Sequence, residues 1–272
     1  MGDQQVGPGR SENALGGLGP GTTALVTGGA GAIGRGVAGA LVEMGVCVAV
    51  MSRNPTQVER VAGDLGQRAI AATGDVGSAR DAERAVRAVV REWGHLDVVV
   101  HAAAVTEGVV RLDDLTPDQI ETVLRVNIVG AIHIAQAAAR AMRESGGGRI
   151  VNAGSVAAHQ ALPGRVAYGS SKAGLIQLTR QLAVELGPDG IAANSVSPGQ
   201  TPTVLRSISD TPGQEPRPKL ATSGETPLDR IPLGRRGVVA DFVGPILFLA
   251  SDLAGYVTGI DLVVDGGAMA MR

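Results

Sequence analysis

The sequence predicts an α/β fold: a doubly wound parallel sheet of about seven strands with helices on both faces. Three observations predict it. Short apolar runs of strand length alternate with helical patterns along the chain, the arrangement that yields a parallel sheet. Aromatic residues are only 2% of the 272, so the core must come from Ala, Val, Leu and Ile, which suits a β-branched sheet under Ala-rich helices. Polar residues with usable chemistry stand at strand ends or just after them, where such sheets bind ligands. There is no internal repeat and no sign of a second core, so one domain is expected over residues 21–272.

Residues 1–20 are rich in Gly and polar residues and read as a flexible tail. TALVTGGAGAIGRGVAGALVEMG then reads as strand, Gly-rich turn and helix, the helix ending at Gly45. VCVAVMSR is a second strand, and PTQVERVAGDL a short helix opened by Pro55. AIAATGD is a third strand. SARDAERAVRAVVREWG is an amphipathic helix with Ser78 as its N-cap. LDVVVHAAA is a fourth strand. A helical region follows from Pro117 to about Glu144, broken near Asn127 and Gly130.

GGGRIVNAGS leads into a fifth strand, and VAYGSSKAGLIQLTRQLAVEL is a helix. GIAANSVSPG is a sixth strand. Residues 200–236 carry many Pro, Ser, Thr and Gly and little periodicity. VADFVGPILFLASDLAG is a helix despite Pro245, either kinked there or preceded by a separate turn. GIDLVVDGG is the last strand.

Apolar residues at 44% and charged residues at 18% indicate a globular chain. A net charge of −2 without a basic block argues against nucleic acid or an anionic membrane as partner. The single Cys47 excludes an internal disulfide and fits a reducing compartment; within VCVAV it is expected to be buried and inert. The opening residues have neither an apolar core nor a basic lead, so no secretory signal is expected. No run approaches the ~20 apolar residues of a membrane span. Cytoplasmic location is the expectation, with a small molecule as partner and no metal.

Two stretches carry chemistry. The turn TGGAGAIG, Thr27 to Gly34, joins the first strand to the first helix. Its glycines allow close approach of a pyrophosphate, and the helix N-terminus adds N–H donors. The end of the second strand should meet the adenosine ribose. An acid there would bind a free 2′-OH, but the chain has Ser52-Arg53, and a guanidinium suits a 2′-phosphate. NADP(H) is therefore favoured over NAD(H). Asp75, after the third strand, either accepts from the adenine amino group or caps the next helix.

The second stretch is SVAAHQALPGRVAYGSSK. Tyr168 and Lys172 lie at i and i+4 and share a helix face, while Ser155 follows the fifth strand. An ammonium beside a phenol favours the phenolate, which would bring a group titrating near pH ~10 toward use as a general acid/base. The spacing alone equally fits a half-buried Tyr and a solvated Lys.

Taken together, these residues resemble the short-chain dehydrogenase/reductase family. The similarity runs from about Thr23 to Gly267 and rests on TGGAGAIG, GDV, Asn127 in RVNIVG, Ser155, YGSSK, SPGQTPT and VVDGG. It implies a Rossmann-like fold and the catalytic set Asn127, Ser155, Tyr168 and Lys172. Tyr168 would exchange the proton, Lys172 would lower its pKa and hold the nicotinamide ribose, and Ser155 would hold the substrate oxygen. Asn127 would hold a relay water, or be purely structural at a kink.

The resemblance also implies cofactor contacts at Gly28, Gly31, Ala32, Ile33 and Gly34, then Ser52, Arg53, Asp75, Val76 and Ala103. Tyr168 and Lys172 join these, with Pro198, Gly199, Thr201 and Thr203 after the sixth strand. It implies a homo-oligomer, tetramer or dimer, and a substrate lid at about 203–236. Two positions depart from the family pattern. Ala32 stands where glycine is usual. His101-Ala102-Ala103-Ala104 replaces Asn-Asn-Ala-Gly, and His101 is expected to be a satisfied core histidine.

SVAAH, AYGSSKAG, IPLGRR and ILFLASDLAG are also similar to dehydrogenases of 2,3-dihydro-2,3-dihydroxybenzoate, which use NAD. His159, Arg165 and Arg206 are candidate substrate contacts; each arginine equally fits a solvated surface position. The leading expectation is an NADP(H)-dependent oxidoreductase acting on a small cyclic ketone or secondary alcohol of a biosynthetic pathway. The alternatives are an NAD-dependent dihydrodiol dehydrogenase and, in another class, a non-catalytic nucleotide-binding regulator. The last would be expected to lack Tyr168 or Lys172.

Overall fold

The computed structural model describes residues 15–201, 207–208 and 227–271. Seven parallel strands form one sheet in the order β3-β2-β1-β4-β5-β6-β7. The strands are β1 (Thr23–Thr27), β2 (Cys47–Ser52), β3 (Ala69–Thr73), β4 (Val98–His101), β5 (Gly148–Ala153), β6 (Ile191–Pro198) and β7 (Asp261–Val264). After β1 the chain builds outward through β2 and β3, then returns to lay β4 on the other side of β1. The topological switch therefore lies between β1 and β4, where a crevice opens beyond the strand ends.

Alternation along the strands explains both faces. Leu25, Ala49, Val99, Ile150 and Ala193 belong to one buried cluster. Their strand neighbours Ala24, Val26, Val48, Val50, Val98, Val100 and Val151 belong to the other. The first cluster is covered by α3 (Ala79–Trp93) and α5 (Gly130–Glu144), through Val86, Val89, Ile134 and Met142. The second is covered by α1 (Ala32–Glu43) and α7 (Val239–Ala250), through Val37, Leu41, Ile246 and Leu249. Each fully buried Val, Leu or Ile contributes about 1.5–3 kcal/mol before ordering entropy is counted.

The remaining helices follow their capping chemistry. In α2 (Pro55–Leu65), Asn54 caps the helix by accepting from the N–H of Gln57, and Pro55 opens it. Ser78 caps α3. In α4 (Pro117–Leu124), Thr116 and Gln119 form a reciprocal capping box. The break expected near Asn127 and Gly130 is a π-helical turn, Arg125–Val129, between α4 and α5. The stretch Pro117–Glu144 is long and apolar enough to span a membrane by composition, but Ile134, Ala138 and Met142 are core residues. The catalytic-type motif rides on α6 (Val166–Leu186).

Four expectations change. Residues 15–20 belong to the expected tail, yet Leu18 is buried in the α1/α7 core and the Asp252 N–H donates to the Gly16 carbonyl. Cys47 is partly exposed, because it opens β2 rather than sitting in mid-strand. Asp75 does not cap α3; Ser78 does. Pro245 sits within one continuous helix, so no separate turn precedes it. The N-terminal residues 1–14 and most of the 203–236 lid, with Thr203 and Arg206, lie outside the described residues.

Candidate active site

The β1–α1 turn has the shape the motif requires. Gly28 adopts φ +65°, and a Cβ there would lie 2.6 Å from the Ala103 nitrogen. A Cβ on Gly34 would collide with the Gly28 carbonyl oxygen, so α1 packs directly on the turn. Gly31 is the N-cap of α1 and gives no side-chain bond, leaving the first-turn donors to face the crevice. Ala32, the departure from glycine, places its methyl on the exposed rim of that crevice.

A cleft of about 310 Å³ opens here. It is lined by Gly28, Gly31, Ala32, Ile33 and Gly34 from the turn, and by Ser52 and Arg53 at the end of β2. Asp75, Val76 and Ala103 complete its far wall. Asp75 accepts from the Gly77 N–H at 2.9 Å and from Arg125 at 3.1 Å. Burial raises its pKa, but the Gly77 and Arg125 bonds and the charges of Arg125 and Arg53 outweigh it, and the carboxyl titrates below its ordinary range. The Thr27 hydroxyl accepts from the Ala103 N–H at 3.3 Å and ties β1 to the segment after β4.

The residues present fit a dinucleotide. The turn leaves room that a Cβ would fill, and the buried Thr201 hydroxyl has no partner among the described residues. Pro198 ends β6, and the Gly199 N–H is held by the Val264 carbonyl of β7 just before Gln200-Thr201.

Ser155, Tyr168 and Lys172 meet at the end of β5. The Ser155 hydroxyl lies near enough to the Tyr168 phenol to favour its ionised form. It also accepts from the Ala157 N–H at 3.1 Å, which fixes the turn after β5. The Lys172 ammonium is buried, lies 5.8 Å from the Tyr168 ring centre and donates to the Ala153 carbonyl at 2.6 Å. Burial lowers the Lys172 pKa to about 8.

The expected lowering of the Tyr168 pKa is not found. Burial comes first among its causes and raises it, with the Glu107 charge acting the same way; Ser155 and Arg165 pull it back only in part. The physical reason is loss of the water that would solvate a phenolate. Asn127 is buried, and its side chain is held by its neighbours. Its amide brackets Val105, donating to the carbonyl and accepting from the N–H at 2.9 Å each, and it also donates to the Ser171 hydroxyl.

Two of the secondary candidates have partners within the structure. His159 pairs with the buried carboxylate of Asp261 at 2.6 Å, a partner that sequence distance concealed. The same carboxylate accepts from Ser195 and Ser197. Arg165 is not a solvated surface residue: it donates to the Thr106 hydroxyl and lies 5.9 Å from the Tyr168 ring centre. His101 is only half satisfied. Its Nδ1 meets the Thr27 hydroxyl at 3.0 Å, while Nε2 is buried without a partner among the described residues. Burial, aided by the Lys172 charge, pushes its pKa down to about 3.

Sequence reasoning missed Glu107, Arg125 and Asp261. Asp261 had a signal, an acid opening an apolar strand. Glu107 and Arg125 had none, because each acts on a residue far away in sequence.

A family profile described as Enoyl-(Acyl carrier protein) reductase matches residues 28–269. The chain is 36% identical to the cyclohexanol dehydrogenase of Rhodococcus sp. (strain TK6), over 91% of this chain and 96% of that protein. It is 40% identical, over the same shares, to the L-rhamnose 1-dehydrogenase (NAD(P)(+)) of Sphingomonas sp. (strain SKA58). A solved short-chain type dehydrogenase/reductase from Mycobacterium ulcerans matches with a TM-score of 0.83 at 31% identity, covering 93% of this chain and 92% of that one. With the parallel sheet and the glycine turn, these likenesses make the chain a member of the short-chain dehydrogenase/reductase family, an NAD(P)-dependent oxidoreductase of the CH–OH/C=O couple.

Proposed function

We propose that the chain interconverts a small cyclic ketone and its secondary alcohol with NADP(H) as cofactor. One observation carries this reading: a buried ammonium 5.8 Å from the centre of a phenol ring, held on the last carbonyl of β5, with the Ser155 hydroxyl acting on the same phenol. The relatives support the substrate class. One is named for cyclohexanol, a cyclic secondary alcohol, and another for rhamnose, a sugar. Ser52 and Arg53 on the cleft wall support the 2′-phosphate.

The geometry supports the following roles. The bound nicotinamide supplies or accepts the hydride. In reduction, Tyr168 gives its phenolic proton to the substrate oxygen, and Ser155 holds that oxygen by a hydrogen bond. The raised pKa of Tyr168 keeps the phenol protonated, as a proton donor requires. Lys172, a cation below about pH 8, stabilises the phenolate left behind. In oxidation the same proton passes back to Tyr168. Asp75, on the cleft wall, would accept from the adenine amino group, and the unpartnered Thr201 hydroxyl would be available to the nicotinamide end of the bound cofactor.

The test is NADPH oxidation on a panel of cyclic ketones and polyol-derived ketones, with kcat/KM compared for NADPH and NADH. Turnover with a clear NADPH preference is the expected result. No oxidation above background would dismiss the substrate class, and a clear NADH preference would dismiss the cofactor.

A further inference from the structure

We propose that Glu107 is a positioning residue for Tyr168, capping the tyrosine's helix from the segment after β4; this rests on the acid/base role given to Tyr168 above. Helix α6 starts without a cap of its own. Its N-cap residue Arg165 provides no side-chain acceptor, although the first-turn N–H groups of any helix lack intrahelical partners. Glu107 supplies the acceptor from about sixty positions away. One carboxylate oxygen accepts from the Ala167 N–H at 2.9 Å and the Tyr168 N–H at 3.1 Å. The other accepts from the Tyr168 N–H at 3.1 Å and from the Thr106 hydroxyl at 3.3 Å.

The carboxylate is only 1% exposed. Such burial is costly without hydrogen bonds and an opposite field. Here both exist, because the group sits at the positive end of a 21-residue helix. The other end of the Tyr168 residue is held as well. Its carbonyl accepts from the Ser171 hydroxyl at 2.7 Å, and that hydroxyl accepts from Asn127. Asn127 in turn brackets Val105, two residues before Glu107. A single network thus fixes the backbone of Tyr168 at N–H and C=O and ties both to the segment after β4.

Glu107 also acts on the phenol by charge. Among the described residues, Lys172, Arg165 and Glu107 are charged groups around Tyr168. Glu107 disfavours the phenolate and Arg165 favours it, and Thr106 bonds to both. A carboxylate whose field did not reach the phenol would leave its titration unmoved on conversion to an amide.

The chain has two tyrosines, and Tyr256 is fully exposed. In a Tyr256→Phe background, tyrosinate absorbance therefore reports Tyr168 alone. Glu107→Gln keeps one oxygen for the amides and removes the charge; Glu107→Leu removes both. The Gln variant is expected to lower the tyrosinate midpoint and keep kcat within severalfold. The Leu variant is expected to lose kcat roughly ten- to a hundredfold at an unchanged cofactor KM. An unmoved midpoint in Glu107→Gln, or wild-type kcat in Glu107→Leu, would overturn the proposal. If Glu107→Leu does not fold, the Gln titration decides alone. The titration needs no substrate, so a chain without turnover would count against the functional reading and still leave Glu107 tested.

Discussion

Lys172 hands its ammonium to the backbone carbonyl of Ala153 at 2.6 Å, so the last residue of β5 holds the cation behind the Tyr168 ring. The bond compensates only part of the cost of burying that charge, which is why the Lys172 pKa falls to about 8. The unfolded chain would titrate this lysine near ~10.4. Between those values the unfolded state binds the extra proton, so stability rises as pH climbs from about 8 toward ~10.4. In Lys172→Met that rise should be missing. Urea midpoints of wild type and variant across this window check it, and parallel curves would refute it.

Removing the phenolic oxygen should separate chemistry from binding. Tyr168→Phe keeps the ring that packs near Lys172 and Arg165 but has no proton to give. General acid catalysis contributes roughly 10²–10⁴-fold, and kcat should fall by that order. The NADPH dissociation constant should stay within a few fold, read by nucleotide fluorescence. An unchanged kcat would point to another proton donor.

Arg53 should carry the cofactor preference. It is exposed on the cleft wall beside Ser52, and its charge reaches Asp75 across the cleft. A hydrogen bond to a charged group is worth about 1.5–3 kcal/mol. Arg53→Ala should therefore lower kcat/KM for NADPH by roughly ten- to a hundredfold and leave NADH nearly untouched. Equal losses with both nucleotides would mean that Arg53 reads the shared part of the cofactor or none of it.

What could be read in advance follows from the range of each interaction. The sheet was legible because strand alternation and helix starts are local: Pro55 opens α2, Ser78 caps α3 and Pro117 opens α4. The site motifs were legible because Ser155, Tyr168 and Lys172 lie on consecutive elements. The electrostatics were not. Whether Lys172 acidifies Tyr168 depends on burial and on Glu107, which reaches α6 across sixty-one positions. His159 looked unpartnered because Asp261 lies 102 positions on. The turn carrying Asn127 was legible as a break, but its commitment to Val105 and Ser171 is a property of the packed structure.

His101 offers the sharpest test of a departure from the family pattern. It is 2% exposed, at the end of the central strand β4, with Thr27 on one nitrogen and nothing described on the other. Its pKa of about 3 lies well under the ~6.5 of an unfolded histidine. The imidazole must stay neutral to remain buried, and the Lys172 charge adds to that demand. Between about 6.5 and about 3 the unfolded chain binds a proton that the folded chain refuses. Stability is therefore full above about 6.5 and lost as pH falls through that window, by about 1.4 kcal/mol per pH unit at the steepest. Asparagine, the usual family residue, does not titrate. In His101→Asn the acid loss should be shallower, and the difference between the two melting curves should grow as pH drops below about 6.5. If wild type and variant lose stability in parallel, the imidazole accepts its proton in the folded state and the buried strand end is more open to water than its packing implies.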